Sequence, residues 1–128
     1  MGTFNIGCLL QNQQDRTRSV RVAEVMVDTG SELTWISAET LDSIGVVPEK
    51  RNQRFVMANG QQISRSIGFA IIRVGENLTT DEVVFAERSD MQLLGARTLE
   101  GLNLRVDSHS KKLVAAGPLV AAGNRRHR

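Results

Sequence analysis

Val25-Met26-Val27-Asp28-Thr29-Gly30-Ser31-Glu32-Leu33-Thr34-Trp35-Ile36 is the stretch from which the rest of the chain is read. Val25 to Val27 is apolar and uncharged, and it predicts a buried strand that delivers an acid to its tip. Gly30 then allows a sharp reversal with the backbone close to whatever Asp28 faces. Leu33 to Ile36 is apolar again and carries the chain back into the core. A carboxylate held between two core-anchored strands is presented into a cleft. Asp-Thr-Gly alone would equally suit an ordinary Asx turn, with Asp28 bonded only to its own loop. What lifts it above that is a second signal far downstream, Leu93-Leu94-Gly95 followed by a segment of helical composition, Ala96 to Leu102.

Together the two signals resemble the retropepsin-like (retroviral-type) aspartic proteases. Apolar-apolar-Asp-Thr-Gly-Ser matches their active-site loop, and Leu93, Leu94 and Gly95 match their apolar-apolar-Gly signature, in the family's order and at about its separation. The resemblance spans Phe4 to Ala115. It implies a mainly-β fold, a closed β-barrel of the acid-protease type with one or two short helices and a flap hairpin. Residues 1–116 would form that domain, with 117–128 a flexible basic C-terminal tail. The implied activity is aspartic endopeptidase. By the same resemblance Asp28 would be the catalytic residue, Thr29, Gly30 and Ser31 would support its loop, and no cofactor or metal is called for.

The flap is expected where Arg54-Phe55-Val56-Met57 leads into Asn59-Gly60, a strong hairpin signal, with Gln61 to Val74 as the return strand. By resemblance, Met57, Ala58, Asn59 and Gly60 would close over substrate. The chain has no Tyr, so a pepsin-type flap tyrosine is excluded.

Hydrolysing a peptide with neither metal nor covalent intermediate takes two carboxyl groups around one water. One is ionised to accept the water's proton, and the other is protonated to donate to the carbonyl oxygen. Two such groups held close cannot both ionise, so they share a proton and titrate as a pair. This chain carries only one Asp-Thr-Gly loop. Val106-Asp107-Ser108 is followed by His109 where a glycine would stand and predicts a hairpin turn; Asp81 and Asp90 lack the motif. The second carboxyl must then come from a second copy, making the expected partners a homodimer and a peptide or protein substrate. The resemblance adds Thr29 hydroxyls bracing the two loops and the Gly30 N–H donating to the carboxylate.

Three positions depart from the viral pattern. Ser31 replaces alanine, and its hydroxyl is expected to donate to Asp28. Trp35 follows, as in a pepsin-type loop, and is expected in the core. Ala96 stands where viral enzymes often have Arg, and Arg97 comes one position late, so an Arg97–Glu32 pair would be out of step.

Composition sets the remaining bounds. The 128 residues make one domain, 41% hydrophobic and 23% charged, as a soluble globular protein requires. A net charge of +2, with four Phe and one Trp, argues against a nucleic-acid partner. Cys8 is the only cysteine, and it lies in an apolar strand as a small buried hydrophobe. No run approaches the ~20 apolar residues that cross a bilayer. Neither a signal peptide nor, from Met1-Gly2 with Ile6, a myristoylation site is expected, which makes cytoplasmic the default location. Two other readings stand beside the enzyme: a non-catalytic dimeric module that binds peptides in the same cleft, and a zinc site. For zinc, Cys8, His109 and His127 offer no recognised ligand spacing.

Overall fold

The computed structural model describes residues 3–123. The Met1-Gly2 start and the basic end Arg125-Arg126-His127-Arg128 lie outside the described residues.

Two strands joined by a polar loop open the chain, β1 (Asn5–Gln11) and β2 (Ser19–Val27). Asp28 and its loop follow, then β3 (Thr34–Ser37) and helix α1 (Ala38–Ser43). The helix starts as its residues dictate: Ser37 Oγ accepts from Thr40 N–H at 3.1 Å, and Glu39 sits in the first turn. It stops at Gly45, whose φ of +80° a side chain would resist. Next come β4 (Lys50–Val56), β5 (Gln62–Val74) and β6 (Asn77–Ala86). A two-residue β7 (Leu93–Leu94), helix α2 (Ala96–Gly101) and the hairpin β8 (Leu104–Asp107) and β9 (Lys112–Ala115) complete the fold.

The main sheet runs β1-β2-β7-β3-β6-β5-β4, and β1 also pairs with β5, Leu9 to Gln11 lying against Ile71 to Arg73. The sheet therefore closes on itself as a barrel, with β4 outside the ring on the free edge of β5. Closure depends on two parallel contacts, β2 with β7 and β3 with β6. Cys8, Leu10, Val25, Ile36, Leu41, Ile72, Val83 and Leu94 fill the interior. Each large aliphatic side chain so buried contributes about 1.5–3 kcal/mol. A second cluster, Leu33, Trp35, Ile67, Val84 and Ala86, lies under the β4–β5 hairpin, where Phe55, Met57, Ile63 and Leu93 pack on it.

Three local details differ from the sequence expectation. β4 begins at Lys50, ahead of the Arg54-Phe55-Val56-Met57 run, through a bulge at which Asn52 takes φ 57°. Met91 to Leu94 reads as an apolar strand leading into Gly95, but β7 holds only Leu93 and Leu94, because Met91 faces solvent and the Gln92 side chain turns away to accept the Ser37 N–H. Asn59-Gly60 does not form a two-residue turn. Gly60 N–H donates to Met57 O and Met57 N–H to Gln61 O, each at 2.8 Å, so Ala58, Asn59 and Gly60 make a three-residue loop with only Gly60 left-handed.

Candidate active site

The Asp28 loop is clamped from behind by the Leu93-Leu94-Gly95 segment. Asp28 N–H donates to Leu94 O at 3.0 Å, extending the β2–β7 ladder by one bond. On the far side of the loop, Ala96 N–H reaches Ser31 O at 2.8 Å and Arg97 N–H reaches Glu32 O at 3.1 Å. Gly95 is a glycine because the two backbones touch: a Cβ there would lie 2.4 Å from Leu33 O and 2.9 Å from Glu32 O.

A buried hydroxyl chain runs beneath. Gly95 N–H donates to Thr34 Oγ1 at 3.0 Å, and Thr34 Oγ1 lies 2.6 Å from Thr98 Oγ1. Thr98 Oγ1 donates to Asp81 Oδ2 at 2.9 Å, which leaves Thr34 as the donor to Thr98. Both threonines are fully buried, and among the described residues no buried side-chain nitrogen or oxygen lacks a hydrogen-bond partner.

Within the loop, Asp28 is half-buried and its Oδ1 accepts the Gly30 N–H at 2.9 Å. Ser31 does not make the expected bond to Asp28. Its hydroxyl donates to Leu33 O, two residues on, at 2.8 Å, where a backbone acceptor is held in place by the turn itself. Thr29 is exposed.

In front of Asp28 lies a cleft of about 680 Å³. Met26, Leu33, Trp35 and Leu93 line it from the barrel, and Phe55, Met57 and Ala58 from the hairpin; Ser89 to Met91 line one wall, and Glu32 and Arg54 add charge. Trp35 is buried, as expected, and meets Phe55 edge to face with ring centroids 5.0 Å apart, tying the barrel to the hairpin. Of the residues singled out from sequence, Asp28, Gly30, Ser31, Met57, Ala58 and Leu93 share this cleft. Asn59 and Gly60 sit at the exposed hairpin tip without lining it, while Leu94 and Gly95 are buried behind the loop.

Arg97 turns its guanidinium to Glu82, 3.1 Å away, rather than to Glu32. Glu82 also holds Lys50 at 2.8 Å, and that hydrogen bond is the main reason its carboxyl lies below the usual range. Burial pushes the Cys8 thiol up to about 11, which suits an inert core residue. His109 lies in the β8–β9 turn, its N–H on Asp107 Oδ1, and among the described residues no three potential ligands converge on a metal position.

Two features of the site escaped the sequence reading. One is the Thr34–Thr98–Asp81 chain, and the other is an ion pair between Arg65 and Asp90 on the cleft wall. Their members are far apart in sequence.

A closed mainly-β barrel that carries one Asp-Thr-Gly carboxylate under a hairpin, backed by an apolar-apolar-Gly strand, is a retropepsin-like fold. The family model described as "gag-polyprotein putative aspartyl protease" matches residues 19–101, and the chain belongs to that family. No curated protein matches the chain. No helix among the described residues is long and apolar enough to cross a membrane.

Proposed function

We propose that the chain is a homodimeric aspartic endopeptidase whose active site forms when the Asp28 loops of two protomers meet on a two-fold axis. The observation that carries this reading is the position of the Asp28 carboxylate in a cleft faced by the hairpin; its bond to the Gly30 N–H at 2.9 Å is the loop's own Asx turn and only fixes its direction. Two other acids of the same chain line the cleft, and neither sits in an Asp-Thr-Gly turn: Glu32 is exposed on the loop. Asp90, the other aspartate lining the cleft, is fully engaged by the Arg65 guanidinium at 2.7 and 2.9 Å. The exposed Thr29 and Gly30 suit a surface that a second copy covers, Thr29 hydroxyls bracing loop against loop.

In the shared site the ionised Asp28 takes a proton from water as its oxygen attacks the peptide carbonyl carbon. The protonated Asp28 of the other protomer donates to the carbonyl oxygen, giving a neutral tetrahedral diol. Proton transfer to the amide nitrogen then lets the C–N bond break, and the two carboxyls return to sharing one proton. Met57 and Ala58 of the hairpin would close over the extended substrate and exclude water, with Asn59 and Gly60 forming the tip that bends.

Asp28→Asn tests the reading. The amide keeps the shape and the Gly30 bond but cannot cycle the proton. Wild-type protein is expected to cleave a peptide library, and the variant, with unchanged circular dichroism and dimer content, to lose cleavage entirely. Undiminished cleavage by purified Asp28→Asn protein would overturn it.

A further inference from the structure

Strand β5 leaves the barrel at Ile67. There it is flanked on both sides, by Lys50 of β4 and by Val84 of β6. Beyond that point β6 continues beside β3, Phe85 and Ala86 pairing with Ile36 and Ser37, while β5 from Ser66 to Gln62 has only β4 for a neighbour. The gap where the strands part is the root of the hairpin, and Arg65 fills it.

Its guanidinium meets Asp90 fork to fork, Nε on Oδ2 at 2.7 Å and Nη2 on Oδ1 at 2.9 Å, and Nη1 donates to Ser64 O at 2.8 Å. Glu87 adds a weaker contact at 3.6 Å. The pair is nearly buried, with side-chain exposures of 11% and 7%. Asp90 does a second job at the same time. Its Oδ2 accepts the Glu87 N–H at 2.8 Å while its own N–H donates to Glu87 O at 2.9 Å, closing the turn that leads into the cleft wall Ser89 to Met91. One carboxylate therefore shapes the wall and hooks the hairpin to it. The other anchor of the hairpin, Phe55 against Trp35, is apolar and lies nearer the tip.

We propose that Arg65 and Asp90 are a positioning pair, a hinge pin that sets the height of the hairpin over Asp28 and the place of the Ser89–Met91 wall. Its consequence for turnover rests on the proteolytic reading above; its consequence for the hairpin does not. Bidentate pairing fixes direction as well as distance, which a single-point ammonium contact cannot do. Loss of either charge leaves the other nearly buried without a counter-charge, and the cheapest relief is for the hairpin root to lift towards water.

The test is amide hydrogen exchange on Asp90→Asn, Arg65→Lys and the swapped double variant Arg65→Asp/Asp90→Arg. The single variants are expected to speed exchange of the hairpin amides, residues 53–64, by about tenfold while β1–β2 amides keep their protection. The double variant should recover part of that protection. In the same samples KM for a cleaved peptide should rise roughly three- to tenfold with a smaller change in kcat. Hairpin exchange that stays at the wild-type rate, or that rises no more than exchange throughout the barrel, would overturn the proposal. Arg65→Lys keeps the test alive if Asp90→Asn does not fold, because it retains the charge and removes only the fork. If the wild-type protein cleaves nothing, the proteolytic reading fails and the exchange data still judge the pair.

Discussion

Gly95→Ala should be among the most damaging single-methyl changes in the chain, and its cost can be worked from the contacts. The added Cβ would lie 2.4 Å from Leu33 O, 2.6 Å from Leu33 C and 2.9 Å from Glu32 O, where ordinary contact begins near 3.4 Å. About 1 Å of separation is missing, and backbone must supply it, since no flexible side-chain end is in the way. Neither backbone is free to move. Leu33 O accepts the Ser31 hydroxyl, Gly95 N–H is bound to Thr34, and Ala96 and Arg97 N–H are bound to Ser31 O and Glu32 O. Overpacking of this kind costs about 1–3 kcal/mol, and each hydrogen bond stretched adds about 1 kcal/mol. A total near 3 kcal/mol corresponds to a fall in Tm of roughly 10 °C for a domain of this size. Gly75→Ala is the control: its φ is +60° but nothing lies within 4 Å of the new methyl, so only backbone strain of about 1 kcal/mol is expected. Thermal melts followed by circular dichroism compare the two. A Gly95→Ala melt within about 2 °C of wild type, or no lower than that of Gly75→Ala, would refute the close-contact account.

Thr98→Val, nearly isosteric, should cost about 1–3 kcal/mol because it strands the Thr34 hydroxyl and leaves Asp81 one donor short; a urea midpoint equal to wild type would count against the buried chain. Acid should destabilise the fold through Asp90, lowered chiefly by the Arg65 hydrogen bond, and Glu82, lowered chiefly by Lys50. Because both native values lie below the ordinary 3.8 and 4.5, the unfolded chain binds more protons in that window. The stability they contribute is fully present above about pH 4.5 and is lost as pH falls through the native values; Tm measured from pH 6 downward should drop less steeply in Asp90→Asn than in wild type. Ser31→Ala should leave the acidic limb of the kcat/KM profile in place, since its hydroxyl serves Leu33 O; a shift of that limb would restore a bond to Asp28.

What the sequence made legible was local. The apolar run Val25 to Val27 and the Asn59-Gly60 signal act through neighbours a few positions away, and β2 and the β4–β5 hairpin fell close to where those residues put them, with the turn one residue longer. The Gly30 N–H on Asp28, which the resemblance implied, is likewise a bond between near neighbours. Partners chosen by the closed barrel were not. Arg65 finds Asp90 only because β5 and β6 part at Ile67 and Val84, and Arg97 finds Glu82 because α2 packs on β6. Ser31 had two acceptors within reach, and the fixed carbonyl two residues on took the hydroxyl.

If two chains make one site, activity must follow the dimer, and a dilution series measures this. Cleavage per protomer would be measured across a range of protein concentrations, with sedimentation giving the fraction of dimer at each. Activity per chain is expected to fall in step with the dimer fraction, while circular dichroism shows the barrel still folded. Constant activity per chain at concentrations where the protein sediments as a monomer would contradict the account.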